Sequence, residues 1–174
     1  MTDEIKKRLD VVLVAGGKYH DIDFARLELL KLLAEDERIR TRVYEDYSNL
    51  HAISNADFLI TYTCDVRPTL EQQKVLRDFV ANGKRWLALH GTNSILQFLS
   101  DGRVDCPRVA PIFMETLGSQ FLSHPPIEPY TVTVADGDHH LVEGVEPFQT
   151  NDELYLSLIH ISEPTRLLSI SYAV

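Results

Sequence analysis

Cysteine is scarce in this chain. Its 174 residues include two, Cys64 and Cys106, far apart and without CxxC spacing, which excludes a disulfide framework and a thiolate zinc site. Long apolar runs are missing as well. None approaches the ~18 residues of a membrane span, and the N-terminal MTDEIKKRLD has no apolar h-region of a secretion signal. Positive charge is in deficit. With 17 Lys and Arg against 26 Asp and Glu, the formal net charge is −9, so neither a nucleic-acid backbone nor an anionic membrane is the expected partner. GxGxxG, P-loop, HExxH and GxSxG patterns do not occur, and Gly16-Gly17 is therefore no dinucleotide fingerprint. What is present, 44% hydrophobic and 25% charged residues, describes an ordinary globular protein of about one domain, cytoplasmic by default. That length can bury a sizeable core without disulfides.

Along the chain, strand and helix signals alternate. DVVLVAG (10–16) is a β-branched run that reads as a buried strand ending at two glycines. After it, DFARLELLKLLAEDERI places Phe24, Leu27, Leu30, Leu33 and Ala34 on one helical face, with Asp21 or Asp23 as N-cap. TRVYED (41–46) and ADFLITYT (56–63) are the next strands. Thr69 and Gln72 fit a capping box, and the helix they open is expected to bury Leu70, Val75, Leu76, Phe79 and Val80 before stopping at Asn82-Gly83. RWLAL (85–89) is a fourth strand. This alternation predicts right-handed βαβ units and a parallel sheet. From about 100 to 128, Pro107, Pro111, Pro125 and Pro126 punctuate a loop-rich stretch. YTVTVAD (130–136) and DELYLSLI (152–159) are further strand candidates.

In open parallel sheets, ligands bind beyond the carboxyl ends of the strands. His20-Asp21, Thr63-Cys64-Asp65 and His90 all fall at that edge. His90 has three readings: a core histidine bonded to backbone, a general acid or base with an ordinary pKa near 6.5, or a metal ligand. Gly91 beside it marks a sharp turn of the kind tolerated where a side chain must be held over a pocket. A helix opening at Thr92-Asn93 would offer free N–H groups to an anion. His20 is equally a ligand contact or a solvated loop residue. His124 lies on a segment too irregular to place by spacing. His139-His140 is either functional or a polar turn, and Asp152-Glu153 either functional or an exposed pair. Cys64 has no activating partner and is expected to be an inert buried thiol.

Five segments, AGGKYHD, LALHGTN, ETLGSQFLSHPP, DHHLVEGVEPF and NDELY, occur in an order that resembles ThuA-like (trehalose utilisation) proteins over about residues 10–156. The resemblance implies an α/β fold of the flavodoxin-like, class I glutamine amidotransferase-like kind, a three-layer sandwich with a mainly parallel sheet. His90 stands where amidotransferase relatives carry a nucleophilic cysteine, so glutamine hydrolysis does not follow from the fold. Motif positions map to His20, Asp21, His90, Gly91, His124, His139, Asp152 and Glu153; His140 departs, because proline usually follows the motif histidine. The resemblance implies His90, His20 and Asp21 as catalytic groups. Gly91, Thr92, Asn93, His124, Asp152 and Glu153 are the implied contacts to a small-molecule carbohydrate. A divalent metal, Zn or Mn, would sit on His20, His90, His124 and His139, and a homo-oligomer is compatible. Two functions stay open: a lyase- or hydrolase-type enzyme acting on a sugar or keto-sugar, and a non-catalytic sugar-binding or regulatory module.

The final SLIHISEPTRLLSISYAV does not fit the family's further strands and Gly-rich segment. It resembles translated read-through of a sequencing adapter. The expected organisation is a domain over 1–156, incomplete at its C-terminus, and a non-native tail over 157–174, with His160 outside any site. A sheet edge would then be left bare.

Overall fold

A computed structural model describes residues 7–159 apart from 136. The expected tail beyond residue 159, His160 included, lies outside the described residues.

The apolar runs form the sheet. β1 (Leu9–Gly17) buries six consecutive residues from Val11 to Gly16, as a strand covered on both faces must. Around it lie β2 (Ile39–Tyr44), β3 (Phe58–Cys64) and β4 (Arg85–Leu89), in the order β2-β1-β3-β4, every pair parallel. β4 matches its predicted bounds; the others shift by one or two residues. α1 (Ile22–Ala34) covers one face, where Leu33 meets Val11, Leu13, Ala15 and Ile60. α2 (Leu50–Asn55), α3 (Leu70–Ala81) and α4 (Pro111–Leu117) cover the other through Ile53, Leu76, Phe79, Phe113 and Met114 on Val12, Val14 and Leu59. The result is the expected three-layer α/β/α sandwich. No helix among the described residues is long and apolar enough to cross a membrane.

Two helix faces differ from expectation. In α1, Phe24 and Leu27 are exposed, as is Ala34. That helix is apolar on more than one side, and it docks through Ile22, Leu29, Leu30 and Leu33, which a period of 3.6 residues puts on one stripe; Phe24 and Leu27 fall well off it. In α3 the capping box of Thr69 and Gln72 forms in full, and Leu76 and Phe79 are buried, but Leu70 and Val80 face out. The helix ends at Asn82, with Gly83 at φ +78°.

Beyond β4 the predicted helix is absent. His90–Asn93 make a single 3-10 turn and Ser94 is already extended, so the array of free helix N–H groups expected there does not exist. The remaining described residues add three small antiparallel pairs: β5 (Gln97–Phe98) with β6 (Val104–Asp105), β7 (Ser119–Ser123) with β10 (Leu156–Ile159), and β8 (Glu128–Val132) with β9 (Phe148–Asp152). The DELYLSLI segment is thus not one strand. It breaks between β9 and β10, and Glu153–Tyr155 form the bend.

Candidate functional site

β1 leads to β2 on one side and β3 lies on the other. The strand order reverses there, and the crevice above the carboxyl ends of β1 and β3 is where a ligand is expected. His20 follows β1, Cys64 ends β3, and His90 follows β4 directly.

His90 takes φ +46°, a left-handed conformation unusual for a residue with a side chain. The turn that imposes it is packed, not loose. Gly91 is buried, and a Cβ there would stand 3.0 Å from both the Cys64 Cβ and the Thr63 carbonyl oxygen. Thr92 is also buried, and its hydroxyl donates to the Leu89 carbonyl oxygen at 2.8 Å or the Thr61 carbonyl oxygen at 3.1 Å. Both residues, expected at a ligand, here fasten the turn to β3. Thr92→Val is therefore expected to cost about 1–3 kcal/mol, because buried partners lose their bond; urea unfolding of the variant would measure it.

Four groups meet at this turn. The His90 Nε2 lies 3.2 Å from His20 Nδ1, 3.3 Å from the Tyr155 hydroxyl and 3.7 Å from Glu153 Oε2. The other carboxylate oxygen of Glu153 stands 3.5 Å from His124 Nε2, so Glu153 spans two imidazoles. Aromatic rings hold the cluster: Tyr62 stacks on His90 at 5.5 Å, and Tyr155 stacks 5.0 Å from His90 and 6.4 Å from His124. A cavity of about 290 Å³ opens beside it, lined by His20, His124, Glu153 and Tyr155 among others. His90 stands one layer behind that wall, its side chain 12% exposed.

Burial sets the charge states. It lowers the His90 pKa below the usual imidazole value, and the neighbouring His20 lowers it further, against the opposing pull of Glu153 and Asp152. Burial pushes the Tyr155 phenol far up, helped by Glu153, so the phenol stays protonated and able to donate. The Cys64 thiol is pushed up to about 12 by burial and then by Asp65, which keeps it uncharged at neutral pH, as an inert buried thiol should be.

The remaining expected residues are placed as follows. Asp21 caps α1, its Oδ1 accepting from the Phe24 N–H at 2.9 Å, and it lines a second hollow behind His20 with Gly16, Gly17, Arg26 and Glu45. Asn93 donates to Ser119 Oγ at 2.9 Å, while its buried Oδ1 has no partner among the described residues. Asp152 accepts from the Glu153 N–H at 2.8 Å, turning the bend that aims Glu153. His139 stacks on His140 at 4.6 Å and accepts from the Leu141 N–H, forming a polar turn. Among the described residues, the set able to hold a metal is His20, His90 and Glu153, whose donor atoms lie within 4.8 Å of one another; of the expected ligands, His124 and His139 are not in it, and Glu153 takes a place instead. Tyr62 and Tyr155 join the site without a signal in the sequence: Tyr62 reads as an ordinary strand residue, and Tyr155 arrives through the bend between β9 and β10.

A sequence model of the ThuA family, described as trehalose utilisation, matches residues 10–173. The match continues through the stretch expected as a tail. A crystal structure of a protein described as ThuA-like, from Bacteroides uniformis, superposes with a TM-score of 0.65 at 17% identity, covering 87% of this chain and 62% of that one. This chain thus spans less than two thirds of that neighbour's length. Among curated proteins, nothing matches.

Proposed function

The chain belongs to the ThuA family of trehalose utilisation, and from that premise we propose that it is an enzyme of carbohydrate use in which the His20–His90 pair moves a proton on a keto-sugar. The observation that carries this is the approach of His90 Nε2 to His20 Nδ1, at 3.2 Å, beside a cavity that His20 lines.

A ketone acidifies the C–H next to it, so an uncharged imidazole is base enough to remove that proton. One proton shared between His20 Nδ1 and His90 Nε2 decides what His20 presents at its other nitrogen. With the proton on His20 Nδ1, Nε2 carries a lone pair and takes the α-proton, and the C–H electrons pass into the carbonyl to give an enolate. His20 then hands its Nδ1 proton to His90 and keeps the new one on Nε2. From there it can protonate an oxygen leaving from the β-carbon, as the enolate electrons form a C=C bond and the C–O bond breaks. Nothing is oxidised or reduced in sum. The neutral Tyr155 hydroxyl offers a hydrogen bond to the developing oxyanion, and Glu153 balances the positive charge while the proton is on the pair.

A divalent cation of the Zn or Mn kind fits the same residues. The 3.2 Å nitrogen separation is close to the ~3.3 Å edge of a tetrahedron with bonds of about 2.0–2.1 Å. His20, His90 and Glu153 would hold it, and it would supply Lewis-acid polarisation of the carbonyl. The cation and the shared proton compete for the same lone pairs.

The test is to incubate the full chain with methyl 3-keto-glucoside in D2O, with and without chelator, and follow the sugar by NMR. Deuterium entering the carbon beside the ketone, followed by loss of the methoxy group, is the expected result. Saturable binding with no exchange rejects it and favours the second reading, a sugar-binding module.

Burial also predicts a pH dependence. The folded His90 pKa lies below its ordinary 6.5, so below pH 6.5 the unfolded chain binds more protons than the folded one. Stability is therefore expected to fall as the pH drops from 6.5 toward the folded value, and to be insensitive to this group above 6.5. Urea midpoints across pH 5–8 would read it, and the slope should be smaller in His90→Asn.

A further inference from the structure

The cavity lining is of two chemical kinds. His20, His124, Glu153 and Tyr155 are polar, while Leu96, Val104 and Leu122 are aliphatic, and Tyr19 lines it as well. Tyr19 is 58% exposed although it is a large aromatic residue, and it is held at φ +72°. A left-handed tyrosine is strained, and this one gains little burial in return. Its position is nonetheless fixed, because the Lys18 N–H before it donates to the Cys64 carbonyl oxygen at 3.0 Å and His20 follows it at once. Facing Tyr19 is Phe98 of the β5–β6 hairpin, 57% exposed, with ring centroids 5.6 Å apart and planes inclined by 46°. Val104, on the paired strand, is exposed too. The nearby Lys18 ammonium is held by Asp65 at 3.0 Å, so it does not make this rim a site for anions.

We propose that Tyr19 and Phe98 form a binding subsite for a flat, apolar aglycone, so that the ligand class is an aryl glycoside with its sugar toward His20 and its aryl group on this rim. The size of the cavity argues the same way. About 290 Å³ is at the small end of ligand pockets, so a two-part ligand whose polar ring occupies the cavity must extend past the mouth. The surface it meets there is aromatic. Offset or tilted packing on two such rings discriminates an aryl group from a methyl group by about tenfold in affinity. The orientation of the sugar rests on the proposed carbohydrate chemistry; the rim's preference for an aryl group does not.

Calorimetry on the full chain with 4-nitrophenyl β-glucoside and methyl β-glucoside tests it, repeated with Phe98→Ser and with Tyr19→Gly, which also relieves the backbone. The expected result is an aryl preference of about tenfold that falls below about twofold in each variant. Equal affinities in the parent chain, a preference that survives both variants, or no binding of either glucoside overturns the subsite. Binding of the nitrophenyl compound that both variants remove, with methyl glucoside never binding, keeps the rim and overturns the sugar orientation instead.

Discussion

Turnover of a keto-glycoside is expected to fall by about 10²–10⁴-fold in either His20→Gln or His90→Asn, the range general acid–base catalysis supplies. The substitutions are chosen so that folding does not confuse the outcome. Glutamine at 20 keeps a polar side chain at a half-buried position. Asparagine tolerates the left-handed conformation at 90 better than most residues, so the φ of +46° is no obstacle to the variant. If the two rings pass one proton between them, they act as a unit, and the double variant should be no slower than the slower single one. Two independent roles would instead multiply the losses. Full exchange of the α-proton in both single variants would sink the proposed chemistry.

The largest loss of stability is expected from Gly17→Ala. Gly17 ends β1 at φ +110°, and a Cβ built on it would lie 1.9 Å from the Cys64 carbonyl oxygen. Neither atom can yield, because Gly17 is in register with Cys64 at the end of the β1–β3 ladder and the same carbonyl accepts the Lys18 N–H. The backbone strain and the clash together should cost about 3–5 kcal/mol, a large part of the 5–15 kcal/mol that ordinarily holds a domain folded. Thermal unfolding followed by circular dichroism would show it; a melting point unchanged within a degree or two would contradict this account of the strand end. Gly16→Ala meets the Glu45 carbonyl oxygen at 2.0 Å and should be similarly damaging.

The sheet was legible because its strands are short, β-branched and bounded by turn residues, and because each helix stop, such as Asn82-Gly83, carries its own local chemistry. RWLAL could be bounded to the residue. Helix faces were less legible, since α1 offers apolar residues on several sides and only packing selects Leu33 over Phe24. The turn after β4 is illegible for a related reason: Thr92 has the look of a helix cap, but its hydroxyl is spent on the carbonyls of Leu89 in β4 and Thr61 in β3. Of the site, the meeting of His20 with His90 follows from two strand ends that are neighbours across β3. Which partner completes the pair did not follow, because Glu153, His124 and Tyr155 come from segments whose spacing says nothing about convergence. Reading DELYLSLI as one alternating strand hid the bend that brings Glu153 and Tyr155 in.

That bend also fixes the order in which the hollow can be finished. The two imidazoles at positions 20 and 90 hang on the parallel sheet, whose four strands among the described residues are all in the chain by residue 89. The carboxylate and phenol beside them are supplied more than sixty positions later in the chain, on the bend between two antiparallel strand pairs. On a ribosome, where synthesis proceeds from the N-terminus, the pair would emerge well before its acidic neighbour, and the chemistry would switch on only when the last described strands have docked.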